Sequence, residues 1–281
     1  MSQNPLNFEF LNNLSVQNTL WKLIPNNIET DHLSLYLNQK FDVPYILSPY
    51  LMSIGINKIN FEHFFNSKIK DFFPDPFLFV DMEKTVLRLA DEIENKRPIG
   101  IFGDYDVDGA TSTALLGKFF DEIKLDYEIY IPDRKTEGYG PSIKGFEKLI
   151  KKNVKIIFTV DCGTLSFDAI EYAKSKKIDV IVLDHHQSDI NLPPAYSIIN
   201  PNRFDDKSNL QYLCAAGVTF MFLVSLNKHL RLANWFKNNS IKEPDLINYL
   251  DLVSLGTVCD VVPLIGLNRA IVKQGLKILK A

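Results

Sequence analysis

The stretch Ile99-Gly100-Ile101-Phe102-Gly103-Asp104-Tyr105-Asp106-Val107-Asp108-Gly109 opens without a charge and then breaks into three alternating carboxylates. An apolar run this short, bounded by glycine, reads as a buried strand rather than a helix. Downstream, Leu115, Leu116, Phe119, Phe120 and Ile123 recur at helical spacing, so the strand passes into a helix through the acidic segment. The alternation then repeats. Tyr127–Ile131 reads as a strand, Pro141 to Ile150 as a helix and Val154–Val160 as a strand. Ser166 caps a helix carrying Phe167, Ile170 and Ala173, Asp179–Leu183 forms the fourth strand, and Tyr196–Ile199 offers a fifth. Upstream, Met82, Val86, Leu89 and Ile93 mark a helix ending near Lys96-Arg97-Pro98; beyond residue 210 the pattern is helical. Strands alternating with helices of roughly 10–15 residues imply right-handed crossovers and an α/β fold, an open parallel sheet flanked by helices. Residues 1–76, rich in Asn and Phe and closed by a turn at Pro74-Asp75-Pro76, form a mostly helical lead segment. Residues 77–264 form the α/β domain, and 265–281 begin a connecting helix.

Length and composition fit that reading. A chain of 281 residues suits one large domain or two modest ones, and 46% hydrophobic with 23% charged residues excludes disordered and collagen-like classes. Three cysteines, Cys162, Cys214 and Cys259, form no CxxC pair and cannot all pair with one another, which suits a reducing compartment. The opening MSQNPLNFEFLNNLS has neither the cationic start nor the apolar core of a signal peptide. The longest apolar run, Leu213 to Leu226, is 14 residues, against ~20 for a bilayer span, and reads as a buried helix. A cytoplasmic protein with no membrane partner is expected. Net charge is −3, distributed unevenly: 10 basic against 6 acidic residues in 201–281, and an acidic excess before that. The imbalance is too mild to diagnose nucleic-acid binding by itself.

Ligands of open parallel sheets collect outside the carboxyl ends of the strands. Here those ends carry Asp104, Asp106 and Asp108 after the first strand, Asp161 after the third, and Asp184-His185-His186 after the fourth; Asp260 adds another carboxylate. Carboxylates gathered in one place repel unless cations neutralise them, so the set predicts a centre for two divalent metals. Mixed carboxylate and imidazole donors suit Mn²⁺, and Mg²⁺ fits where oxygen dominates. Asp104-x-Asp106-x-Asp108-Gly109 also imitates the start of an EF-hand loop, but the twelfth position is Leu115 and a strand precedes it. As a cap for the next helix, Asp108 would serve. His32, His63 and His229 have no partners in sequence and read as structural or exposed, and Cys162 and Cys259 as small buried fillers. Cys214-Ala215-Ala216-Gly217 starts a helix with small residues for close packing, or with a place for phosphate. In Asp133-Arg134-Lys135-Thr136-Glu137-Gly138-Tyr139-Gly140, Arg134 is a candidate phosphate contact, with an ordinary solvated loop as the alternative. There is no GxGxxG and no GxxxxGK[ST], so dinucleotide and P-loop chemistry lose their main support.

Gly103-Asp104-Tyr105-Asp106-Val107-Asp108-Gly109, Val160-Asp161-Cys162-Gly163, Asp184-His185-His186 and Gly256-Thr257-Val258-Cys259-Asp260-Val261-Val262-Pro263-Leu264 resemble, in this order, the four motifs of the DHH phosphoesterase family. Phe77-Leu78-Phe79-Val80-Asp81-Met82, Glu137-Gly138-Tyr139-Gly140, Ala216-Gly217-Val218, Asn268-Arg269 and Gln274-Gly275-Leu276 extend the likeness over roughly residues 40–281. Within the family the chain looks most like the 5′→3′ exonucleases specific for single-stranded DNA, enzymes of repair and recombination. The resemblance implies Asp106, Asp108, Asp161, His185 and Asp260 as metal ligands, with Asp104 in the same acidic set. It also implies that Asp184 orients a neighbouring histidine, that His186 contacts the reacting phosphate, and that the reaction is two-metal phosphodiester hydrolysis on single-stranded DNA. A phosphoesterase for short oligonucleotides, nucleotide phosphates or pyrophosphate, and an inactive replication scaffold, stay open as alternatives. Such exonucleases continue past the equivalent of residue 281 into a second cleft domain and an OB-fold domain, so this chain is expected to be their N-terminal portion.

Overall fold

The computed structural model describes residues 16–20 and 28–280; the opening stretch Met1–Ser15, with the signal-peptide reading that rests on it, lies outside the described residues. Two compact units divide the chain, Met1–Ser67 and Lys68–Ala281. In the first, α1 (Ile28–Phe41), α2 (Leu47–Ser53) and α3 (Phe61–Phe65) close around Leu33, Leu37, Val43, Leu51, Ile56 and Phe61.

The second unit opens with α4 (Ile69–Phe72) and a 3₁₀ turn over Pro76–Leu78, where the Asp75 carboxylate accepts from Phe77 N at 3.2 Å. The alternation read from the sequence follows: α5 (Met82–Glu94), β1 (Ile99–Gly103), α6 (Val107–Ile123), β2 (Tyr127–Tyr130), α7 (Ile143–Ile150), β3 (Ile156–Val160), α8 (Phe167–Ser175), β4 (Asp179–Leu183) and β5 (Ser197–Ile199). Among the described residues four α-helices follow, α9 (Ala215–Leu232), α10 (Trp235–Asn238), α11 (Leu250–Cys259) and α12 (Gly266–Ile278), with a 3₁₀ turn over Leu246–Tyr249 before α11. The apolar run at Leu213–Leu226 is indeed a buried helix, α9, and among the described residues no helix is long and apolar enough to cross a membrane. Ser166 stands at the start of α8 as expected, yet its side chain makes no capping bond.

All five strands are parallel, in the order β2-β1-β3-β4-β5. Helices cover both faces of the central strands, which is why β1, β3 and β4 read as apolar runs, while β2 at the edge is only partly buried. Ile99, Ile101, Ile156, Phe158, Val160 and Ile181 point into one core with Met82, Leu116 and Met221. Phe102, Ile157, Val180 and Val182 point the other way, onto Phe146 of α7 and Ile170 of α8.

The strand order reverses between β1 and β3, the place where such sheets open a crevice. Register aligns the strand ends there: Gly103 pairs with Val160, Val160 with Leu183, and Leu183 with Ile199. One residue further on, Asp104, Asp161, Asp184 and Asn200 therefore stand in a row. The ladder holds them by their amides. Asp104 N donates to Val160 O at 3.3 Å, Asp161 N to Leu183 O at 3.0 Å and Asp184 N to Ile199 O at 3.1 Å.

Candidate metal centre

Each acid reaches the crevice by a different local device. Asp106, not Asp108, caps α6: its Oδ1 accepts from Gly109 N at 2.9 Å while the residue stays exposed. Asp108 lies inside the first turn, buried, and reaches across to another helix. Its carboxylate accepts from Ala215 N at 2.6 Å and Ala216 N at 2.9 Å, at the N-terminus of α9. The positive end of that helix thus holds the chain's own anion, and the place read as open to phosphate is taken. A Cβ on Gly256 of α11 would sit 2.6 Å from Asp108 Oδ1 and 2.7 Å from Ala216 Cβ, so only glycine lets α11 close on this junction. Asp161 follows β3 in the left-handed region at φ 61, which Asp tolerates better than most residues. Asp260 ends α11, followed by Val261 at φ 59.

These devices bring the expected ligands together. His185 Nε2 lies 3.3 Å from Asp161 Oδ1, 3.6 Å from Asp260 Oδ2 and 3.7 Å from Asp108 Oδ2. Three overlapping sets each place their ligand atoms within 4.8 Å of one another: Asp161 with His185 and His186, Asp108 with His185 and Asp260, and Asp104 with Asp106 and Asp161. Asp104 Oδ1, Asp161 Oδ1 and His185 Nε2 are buried with no hydrogen-bond partner. Buried polar atoms almost always find one. Burial, with Asp108, Asp106 and Asp184 close by, pushes the Asp161 carboxyl up to about 10. Burial also raises Asp104, Asp108 and Asp260. Oxygen and imidazole donors crowded together, desolvated and unpaired, fit hard divalent cations.

Asp184 behaves differently. Burial alone would raise its carboxyl, but hydrogen bonds from His186 and Thr164 more than offset this and hold it well below the usual range. Its Oδ1 accepts from His185 N at 2.7 Å, His186 N at 3.1 Å and the His186 ring Nδ1 at 2.7 Å. Its Oδ2 accepts from Thr164 N at 3.0 Å and Thr164 Oγ1 at 2.6 Å. The bond to Asp184 in turn raises the pKa of His186, whose side chain is 49% exposed beside the cluster. Tyr139, 58% exposed, packs edge-on to His186 at 6.2 Å and donates to Asp161 O at 3.3 Å. Tyr105 packs edge-on to Tyr139, and the Arg134 guanidinium sits 5.2 Å over the Tyr105 ring. Arg134 is thus tied to the crevice through two aromatic rings and touches none of the candidate ligands.

Three polar residues missed by sequence reasoning support the histidines. Asn200 Nδ2 donates to Thr164 Oγ1 and to His186 O, both at 2.9 Å, and Asn202 Nδ2 donates to His185 O. Asn200 carries no charge, and the only signal available was its place directly after the fifth strand. Of the cysteines, Cys162 is buried and its thiol is pushed up by burial. Cys259 is exposed, contrary to expectation, because α11 turns Val253, Ser254, Gly256 and Thr257 inward instead. His32 and His63 are exposed and His229 is half-buried, and none of them belongs to one of the three ligand sets.

Comparison with known proteins places this geometry in a lineage. The model of the DHH family, N-terminal domain, matches residues 98–257. The single-stranded-DNA-specific exonuclease RecJ of Haemophilus influenzae is 37% identical over 208 residues, 74% of this chain and 36% of that protein. RecJ of Escherichia coli is 39% identical over 203 residues, 71% of this chain and 35% of its own. This chain therefore spans about a third of the length of these relatives. A solved structure of exonuclease RecJ bound to manganese superimposes with a TM-score of 0.61 at 30% identity, covering 71% of this chain and 48% of that one.

Proposed function

The chain belongs to the DHH family, and from that premise we propose that it hydrolyses phosphodiester bonds of single-stranded DNA from the 5′ end, with two divalent ions, Mn²⁺ or Mg²⁺. The observation that carries the reading is the trio of buried, unpartnered atoms, Asp104 Oδ1, Asp161 Oδ1 and His185 Nε2, in a crevice of mutually repelling carboxylates. The names of the RecJ relatives and the manganese in a related structure support the substrate and the metal.

In this reading Asp104, Asp106, Asp108, Asp161, His185 and Asp260 hold the ions. Ions held there would supply positive charge against the phosphate and lower the pKa of a water for in-line attack. His186 works from the chain's own side. Its Nδ1 is committed to Asp184 at 2.7 Å, which favours the protonated ring and leaves the Nε2–H to donate to a phosphoryl oxygen as negative charge grows there. Asp184 stays ionised and keeps the ring oriented. Arg134, braced on Tyr105, supplies a cation for a neighbouring substrate phosphate. Residues 77–264 form the phosphoesterase domain behind a lead segment, and three free cysteines suit work in the cytoplasm.

The test is a time course on 5′-labelled and 3′-labelled single strands and on a duplex, with Mn²⁺ or Mg²⁺. Early release of the 5′ label from single strands alone is expected. Digestion confined to very short oligonucleotides would move the assignment to the small-substrate members of the family. No cleavage with any metal, despite tight Mn²⁺ binding, would remove it.

A further inference from the structure

We propose that Asn200 and Asn202 are positioning residues that assign the two adjacent imidazoles to different partners, His185 to the metals and His186 to Asp184 and the phosphate. The inference rests on the metal-centre reading above.

Asn200 is the fourth member of the row that stands one step beyond the aligned strand ends, after Asp104, Asp161 and Asp184. The other three bring charge; Asn200 brings an amide and is 1% exposed. Its Nδ2 faces two oxygens, His186 O and Thr164 Oγ1, and its Oδ1 accepts from Asn202 N at 2.8 Å. Both amide hydrogens and the carbonyl are used, and these partners leave one orientation of the group. Thr164 passes the constraint on, since its hydroxyl donates to Asp184 Oδ2 at 2.6 Å and so accepts from Asn200. Asn202 then clasps the neighbouring peptide by donating to His185 O, and its own carbonyl accepts from Ser188 Oγ at 2.9 Å.

The histidine pair is therefore gripped from both sides. Asp184 takes the two backbone amides, and the two asparagines take the two carbonyls. The rings depend on this grip unequally. His186 has its own anchor through Nδ1 on Asp184, whereas His185 Nε2 has no hydrogen-bond partner and meets three carboxylates at 3.3–3.7 Å. The direction of His185 is set by the backbone that carries it and by the His186 ring, 4.7 Å away. Loosening its carbonyl disorders a metal ligand. Loosening the His186 carbonyl, together with Thr164, disturbs the Asp184–His186 bond and leaves the ligands in place.

The experiment measures two things on the full chain: Mn²⁺ affinity by calorimetry, and the His186 Nδ1–H resonance in the metal-free protein by NMR. Asn202→Ala is expected to weaken Mn²⁺ binding about 10-fold, the lower range for partners of metal ligands, and to keep the resonance. Asn200→Ala is expected to broaden or lose the resonance and to lower Mn²⁺ affinity clearly less than Asn202→Ala does. Asn200→Asp and Asn202→Asp keep the volume but set an oxygen against each carbonyl, and they should repeat each pattern if an alanine variant fails to fold. The same change in both variants, or no change in either, overturns the inference. His185→Ala run alongside separates the two levels. Unchanged Mn²⁺ affinity there fails the metal centre itself, whereas a loss there with wild-type affinity in Asn202→Ala fails the asparagine clasp alone.

Discussion

At the scale of single residues, Asp106 has two duties that substitution can separate. It caps α6 through Gly109 N and it stands in the ligand set with Asp104 and Asp161. Asparagine caps as well as aspartate, so Asp106→Asn should unfold within about 0.5 kcal/mol of wild type. Asp106→Ala should lose about 1 kcal/mol more. If the proposed hydrolysis of single strands holds, both should lose it by several orders of magnitude, because no neighbour replaces the anionic oxygen; urea unfolding beside the labelled-strand time course checks the split. Val261 has the opposite character. It is a β-branched residue at φ 59, 85% exposed, so no packing offsets a strain of about 1–3 kcal/mol. It directs the turn that leaves Asp260 Oδ2 at 3.6 Å from His185 Nε2. Val261→Asn should raise stability by about 1 kcal/mol and preserve Mn²⁺ affinity, since asparagine tolerates the left-handed region. Val261→Pro, with φ fixed near −65°, should weaken Mn²⁺ binding.

Among the elements, β5 shows how the sheet is finished. Its outer side is closed by side chains: Asp81 Oδ2 accepts from Ile198 N at 3.0 Å and from Arg203 Nη1 at 2.8 Å, and Arg203 Nη1 also donates to Ile198 O at 2.6 Å. This pair serves an edge strand as a further strand would, and it blunts an edge that would otherwise invite pairing. Burial would raise the Asp81 carboxyl, but bonds from Ile198, Lys84 and Arg203 outweigh it and hold the carboxyl below its ordinary value. A carboxyl depressed in the folded state stabilises fully above its unfolded pKa of about 3.9 and loses that contribution as pH falls through the folded value. Asp81→Asn should therefore cost about 1–3 kcal/mol at pH 7, with the gap to wild type shrinking below about pH 4, as read by urea unfolding across pH. Strands of this kind were legible in the sequence because a buried parallel strand is a local apolar run. The caps were not. Of the three acids Asp108 looks the most suited to cap α6, the lesser alternative to its reading as a ligand, but its carboxylate goes to α9, over a hundred residues away, and Asp106 takes the cap. Ser166 stands in a capping position without capping. A cap depends on where distant elements compete for the same side chain, and that competition has no signature in nearby residues.

For the molecule as a whole, the candidate ligands were legible because, Asp260 at the end of α11 apart, these carboxylates and histidines come just after apolar strands, and the order of strands then brings them together. The row itself was not, since register decides it: Asn200 stands level with Asp184 only because Leu183 pairs with Ile199. Every candidate ligand, from Asp104 to Asp260, belongs to the unit Lys68–Ala281, which contains both helix-covered cores of the sheet, while Met1–Ser67 closes around its own. The second unit should therefore fold alone. In the metal-free state it holds carboxyls that repel, Asp161 pushed up to about 10 among them, and cations that relieve this bind the folded form only. At a Mn²⁺ concentration about 100 times Kd the linkage is worth about 2.7 kcal/mol, which corresponds to a rise in Tm of roughly 5–10 °C for a unit of this size. Residues 68–281 and the whole chain should show the same rise for the Mn²⁺-sensitive transition, and EDTA should reverse it in both. A separated second unit that melts without cooperativity, or that folds but gains nothing from Mn²⁺, would mean that the crevice at the strand ends is not sufficient to hold the metals.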